Sequence, residues 1–355
     1  MIERDDIKAA VGSGLINEKQ AADLISLSDS RRGARENLNP GDEPFELFKG
    51  FNEIFIVIGL LILSTGWWGV VGLMLGDEII NLQDYAMWVT LISGGFLWLL
   101  SEYFVRKRRM VAPAIALSIL FAVNAAFGFI AVISEPFMIA QNDYSSVPFP
   151  LFLATLTTLI YWWRFRVPFA MAMIAVGLFA VAIVYTASRG GRVEDISDLF
   201  LLSAGGPFAW ITLVLGILVF AVAMMFDMSD PHRVTRRSAN GFWLHVIAAP
   251  ALVNTMALSL LDQDNSASNL ILLAVLAMFA VVAIVIDRRS FLIAAIGYIV
   301  ALAATVFDGD GAALTVLILG IVLLLLGAFW ERIRARILRM MPGFVPLHRL
   351  PPSQV

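Results

Sequence analysis

The feature that most constrains this chain is a run of ten apolar stretches whose short connections alternate in charge. We draw them at 51–75, 84–105, 111–134, 148–163, 168–187, 203–226, 241–261, 269–286, 290–306 and 312–330. A helix of about 20 residues crosses a hydrocarbon core of about 30 Å, so the fourth stretch sits near the lower limit. Read from an inside start, one set of connections holds Arg106-Lys107-Arg108-Arg109, Arg164 with Arg166, 227–240, Asp287-Arg288-Arg289 and the tail from Glu331. The other set holds Asp77, Glu78, Asp84, Glu135, Asp143, Glu194, Asp195, Asp198, Asp262, Asp264, Asp308 and Asp310. Of the 25 Lys and Arg residues, all except Arg189 and Arg192 fall on the first side. Short translocated loops are depleted of positive charge, so the pattern predicts an all-α integral membrane protein of ten helices with both ends inside.

Composition agrees. The chain is 59% hydrophobic with a mean hydropathy of +0.83, against about 45–50% apolar for soluble domains. The opening residues are polar and acidic, with no apolar signal-peptide core before 51, so the first span is expected to act as the insertion signal. We divide the chain into a cytosolic helical hairpin (1–30), a linker (31–50), a ten-helix membrane domain (51–330) and a basic amphipathic cytosolic tail (331–355). In the hairpin, Asn17 and Gln20 stand at capping-box spacing after the Gly12-Ser13-Gly14 break. Some 30 residues bury little core alone, so the hairpin is expected to pack on a protein partner, a second copy or the membrane face. In the tail, Ile333, Ile337, Met340 and Met341 recur at helical spacing beside Arg332, Arg336 and Arg339. That pattern predicts a short helix lying on the inner leaflet with its arginines toward anionic lipid.

Motifs with a mechanism are sparse. The sequence has no phosphate-cradling glycine loop, H-E-x-x-H pair or G-x-S-x-G elbow, and no cysteine. Asp308-Gly309-Asp310-Gly311 lacks the further oxygen ligands of a calcium loop and reads as a turn. Three dispersed histidines, His232, His245 and His348, do not make a metal site. No catalytic, metal or cofactor residue is therefore assigned, and no enzyme activity is expected. Nucleic acid is not an expected partner, for want of a basic stripe interleaved with aromatics.

The polar residues left to weigh lie in or beside the spans. Glu53 can reach the interface, and Glu102 precedes Arg106 by four residues, a helical ion-pair spacing. Ala114, Ser118, Ala122 and Ala126 form a small-residue stripe on the third span, with Asn124 off it on the side of Phe121 and Phe127. Asn124 is then an interhelical hydrogen bond or a substrate contact. The richest segment runs from Phe226 to Asn254, where Arg233, Arg236 and Arg237 precede a span with Trp243, Ile247, Pro250 and Asn254 on one face. Pro250 is expected to kink that helix. The site reading makes Arg233, Arg236, Arg237, Trp243, His245, Asn254 and Asn124 contacts for a ligand or lipid. The plain reading has the arginines obey the charge rule, Asp227 and Asp230 neutralise them, and His245 bond a neighbouring helix.

The stretch from Ile7 to Ala21, with Gly14-Leu15-Ile16-Asn17-Glu18-Lys19-Gln20-Ala21 at its centre, resembles the N-terminal hairpin of bacterial membrane proteins of domain-of-unknown-function family 2157. The segment from Asp230-Pro231-His232-Arg233 through Trp243-Leu244-His245 to Ala249-Pro250 is similar to uncharacterised bacterial inner-membrane proteins. These resemblances imply a multi-pass protein of the bacterial inner membrane and bring no catalytic residue. The expected function is a non-enzymatic component that docks a partner through its hairpin. The alternative is a permease or lipid-handling transporter with a polar cavity near the seventh helix.

Overall fold

The computed structural model describes residues 51–75, 82–136, 138–141, 143–191, 195–202, 206–231, 233, 236–263, 265–291, 324–343 and 346–351. Residues 7, 10–17, 20, 21, 24, 317 and 320–322 are described as well. Among these every regular element is helical. Met1–Phe45 forms one compact unit and Glu46–Ser353 another. In the first unit, Gln20 donates its backbone N–H to Asn17 Oδ1 (2.8 Å) and Asn17 donates its own to Gln20 Oε1 (3.0 Å). This reciprocal pair satisfies two orphan donors of the second helix. Gly14 takes the left-handed φ of +73° that ends the first helix, a conformation open to glycine at no steric cost.

The second unit is built from α1 (Phe51–Leu75), α2 (Leu82–Ser101), α3 (Ala112–Ile133), α4 (Pro148–Phe165), α5 (Pro168–Ser188), α6 (Phe208–Met228), α7 (Arg236–Leu261), α8 (Ser266–Ile286) and α9 (Trp330–Met340). Prolines begin α4 and α5 and stand in the first turn of α3, where a missing N–H costs nothing. All of these except α4 and α9 are long and apolar enough to cross a membrane, seven in all. The threonines of α4 and its closing Tyr161-Trp162-Trp163-Arg164 make it less apolar. The ninth predicted span lies outside the described residues beyond Phe291, as does much of the tenth. α6 begins five residues later than drawn and α7 five earlier, so Arg236 and Arg237 occupy a first helical turn instead of a loop.

α7 sits in the middle of the second unit, packed on α6, α5 and α8, while α1 touches mainly α3. Burial follows: 56% of the membrane window of α7 is covered, against 11% for α1. The uncovered residues of α1 are themselves apolar, Phe55, Ile62 and Leu73 among them, as a lipid-facing surface requires. α6 and α7 approach closely where Gly216 faces Ala251 and Leu252, and small residues let membrane helices pack tightly. The small-residue stripe on α3 turns out differently from expectation. The buried line runs Ala114, Leu117, Ser118, Phe121, Asn124, Ala125 and Gly128, while Ala122 and Ala126 are half-exposed. Asn124 therefore lies on the packed face, and its Nδ2 donates to the Thr90 carbonyl of α2 at 3.1 Å.

Candidate functional site

Polar side chains gather at one end of the second unit, where α6 and α8 finish and α7 and α9 begin. Asp227, in the last turn of α6, is almost fully buried. Its Oδ2 lies 3.0 Å from His245 Nε2 on α7 and accepts from Arg288 Nε at 3.0 Å, while Arg288 Nη2 donates to Oδ1. An ionised carboxylate only accepts, so His245 presents its Nε2–H. The same guanidinium donates to the Ser238 carbonyl at 2.9 Å, which ties the loop after α8 to the first turn of α7. Gly241 makes room for this. A Cβ there would stand 2.2 Å from Asp227 Oδ1.

A second node adjoins the first. Asp287 caps α8 in the left-handed region, φ +57°, a conformation Asp tolerates better than most non-glycine residues. Its Oδ2 accepts from Arg233 Nη1 at 3.0 Å and its Oδ1 from Trp330 Nε1 at 2.8 Å. A helix leaves its last four carbonyls without intrahelical partners. Here guanidiniums from elsewhere in the chain supply the donors. Arg233 donates to the Ile286 and Asp287 carbonyls at 3.2 and 2.7 Å. Arg334 of α9 donates from Nε to the Ile284 carbonyl at 3.1 Å and from Nη2 to that of Pro351. Positive charge at a helix C-terminus also complements the macrodipole. Arg334, which the expectation for the tail left out, is 1% exposed. α9 docks through Trp330, Arg334 and Ala335, while Ile333 and Ile337 are half-buried and Met340 is exposed. Arg332, Arg336 and Arg339 stay exposed, as read.

The same end carries two more cross-helix ties. Glu53 of α1 is buried, and its Oε2 accepts the Val111 and Ala112 N–H groups at 3.2 and 3.0 Å, capping α3 from another helix. Glu102 pairs with Arg106 at 2.8 Å and with Arg164 of α4 at 2.7 Å. It opens a π-helical turn, Glu102–Lys107, that follows α2.

Of the residues singled out from sequence, the network gathers Arg233 and His245. Asp227, read as neutralising loop arginines, is its centre, and Asp287, Arg288, Trp330 and Arg334 were not anticipated. Their signal was thin: an acid closing one apolar run, Asp-Arg closing another, and a Trp-x-x-x-Arg spacing in the tail. Trp243 packs edge-on against Phe169 with ring centroids 4.6 Å apart. Arg236 and Arg237 are exposed, Asn254 is half-buried, and Pro250 is exposed within a continuous α7. His232 lies outside the described residues.

Chemically, this is a fastener. The Asp227 carboxylate accepts three hydrogen bonds from within the fold, and the Arg288 guanidinium is held by the groups around it. His245 Nδ1, beside the Phe220 and Phe291 rings, has no hydrogen-bond partner among the described residues. A buried ion pair gains little over apolar packing, but removing one partner leaves an uncompensated charge, at about 3–5 kcal/mol. Such a network selects one helix arrangement against others. The helices fit a multi-pass membrane protein. Beyond that class, no family model, curated protein or solved structure matches the chain.

Proposed function

We propose that this chain is a ten-span protein of a bacterial inner membrane with both ends cytosolic, a non-enzymatic component that docks a protein partner through its N-terminal hairpin. The observation that carries this is in the first unit. The hairpin belongs to a compact unit of its own and its turn is closed by reciprocal caps. Yet Leu15 is 79% and Leu24 45% exposed. A folded element that leaves apolar residues outward offers them to another surface. The charge alternation supports the ten spans and their orientation. The buried network supports a fixed platform instead of a reaction centre, because the Asp227 carboxylate and the Arg288 guanidinium are engaged with each other and with α7.

The test is photo-crosslinking in cells from a reactive residue placed at Leu15 of the full chain. We expect an adduct with one protein species that disappears when Leu24→Asp is added. Adducts confined to lipid and to other copies of the chain would overturn the docking of a partner.

A further inference from the structure

Arg189 stands on the acidic side of the charge pattern, where a cation works against orientation. Topology therefore does not account for it, and pairing does not either. No carboxylate lies within ion-pair distance of its guanidinium among the described residues. Instead, the guanidinium stacks over the Tyr185 ring, 5.3 Å from the centroid. Stacking uses the flat face and leaves the N–H edges to donate.

Arg189 also lines a cavity of about 530 Å³ together with Ser145, Pro148, Phe149, Tyr185 and Ser188. It sits where α4 begins and α5 ends, the opposite end of these helices from the buried network. Phe149 and Tyr185 are 60% and 51% exposed, the placement of aromatic side chains at a membrane–water boundary. Ser188 donates its hydroxyl to the Tyr185 carbonyl, so the donors left for an anion come chiefly from Arg189. One hydrogen bond from the lining stands an anion: Asp143 Oδ1 accepts the Ser145 N–H at 2.9 Å. The Ser145 backbone N–H first, then its hydroxyl, hold the Asp143 carboxyl below its ordinary pKa, against a small opposing effect of burial. Asp143 is thus a charged group bonded to Ser145 of the lining, and no ion pair joins it to Arg189.

One cavity with a guanidinium in its wall that pairs with no carboxylate among the described residues, and a carboxylate bonded to its lining, fits a zwitterion. We propose that it binds a phosphate–ammonium headgroup, that of an aminophospholipid, with the phosphate on Arg189, the ammonium toward Asp143 and the acyl side along Phe149 and Tyr185. Bidentate contact between guanidinium and phosphate gives strength and geometry. The ammonium N–H groups distinguish the ligand from choline lipids, which have no such donor. Asp143 distinguishes it from purely anionic lipids by repulsion.

The test is native mass spectrometry of the full chain in detergent, with phosphatidylethanolamine, phosphatidylglycerol and phosphatidylcholine offered at equal concentration. Phosphatidylethanolamine should be retained most. Arg189→Gln should reduce its retention about tenfold, and Asp143→Asn should reverse the preference toward phosphatidylglycerol. A general loss of fold lowers all three lipids together and does not reverse an order. O-phosphoethanolamine, added as a soluble competitor, separates the sources. Failure to displace the lipid places the acyl chain in the site. Displacement at matching concentration assigns the cavity to a soluble zwitterion and overturns the lipid. The same order of retention in the wild type and both variants would overturn the site altogether.

Discussion

The two ends of the membrane unit close their helices by different means. At the end holding Asp227, helix termini are completed by side chains from distant segments. Glu53 caps α3, Arg233 and Arg334 cap α8, and Arg288 joins α6 to α7. At the other end the caps are mostly local. Asn265 caps its own α8 by accepting the Ser268 N–H at 2.8 Å, and Asp195 and Asp198 form a capping box within one short turn. Asp143 bonds Ser145, two residues on. The exceptions are Ser259 of α7, which joins the Phe200 carbonyl and the Leu202 N–H, and Ser146, whose hydroxyl accepts the Glu135 N–H at 3.1 Å. Backbone follows the same division. The described non-glycine residues with positive φ are Arg109, Arg166, Arg233 and Asp287, all at the networked end, whereas Gly190 serves at the other. Where glycine gives a left-handed turn freely, a charged residue there costs strain, and at Arg233 and Asp287 it adds a side chain to the network. The lesson is that one end is a joint between distant segments and the other is closed mainly by local turns.

Removing a partner at the centre of the joint is the hardest test of that contrast. Arg288→Met leaves the Asp227 carboxylate buried without its guanidinium, and we expect a loss of about 3–5 kcal/mol in a reversible unfolding assay in micelles. Adding Asp227→Leu should recover a large part of that loss, since an apolar pair needs no compensation. If the single variant unfolds like the wild type, the joint is not cooperative.

The next largest effect tests close approach. Gly241→Ala sets a methyl against Asp227 Oδ1, and overpacking of this kind costs about 1–3 kcal/mol. In the Arg288→Met background the cost should shrink, because the carboxylate is then free to move and coupled sites are not additive. Equal costs in both backgrounds would place Gly241 outside the joint.

This contrast was only half legible in the sequence. The apolar runs gave the helices, since lipid-spanning segments satisfy their backbone internally and must be long and apolar. The capping box at Asn17 and Gln20 and the Glu102–Arg106 pair were legible because both are set by spacing within one helix. The joint was not. Arg288 and Arg289 are neighbours in one loop, and Arg334 stands two residues from Arg332 and from Arg336. A rule that counts charge per loop treats them alike. Only the meeting of α6, α7, α8 and α9 decides that Arg288 and Arg334 are buried while Arg332 and Arg336 face out. The α3 stripe failed for a related reason. Small size permits close contact but does not say which face meets α2 and α4, and Asn124 went to the packed side.

A local cap should cost less and act alone. Asn265→Ala removes one acceptor from the start of α8, with an expected loss of about 1 kcal/mol. That loss should be the same in the wild type and in Arg288→Met, although both residues flank α8. A double-mutant cycle with an interaction energy well above about 0.5 kcal/mol would mean the two ends are one structure.

The smallest effect is a titration. Asp143 is held below the ordinary carboxylate range by the Ser145 backbone N–H and hydroxyl. A carboxyl whose folded pKa is depressed favours the folded state above its unfolded pKa. That contribution is lost as pH falls through the lowered value. Ser145→Ala removes the hydroxyl and keeps the N–H, the larger cause, so carboxyl carbon NMR should show Asp143 rising only part of the way. Arg288→Met should leave the Asp143 curve unmoved while the protein stays folded, because this bond draws on no other helix. A shift there would show that strain at the joint reaches the far loops, and the division between the two ends would fail.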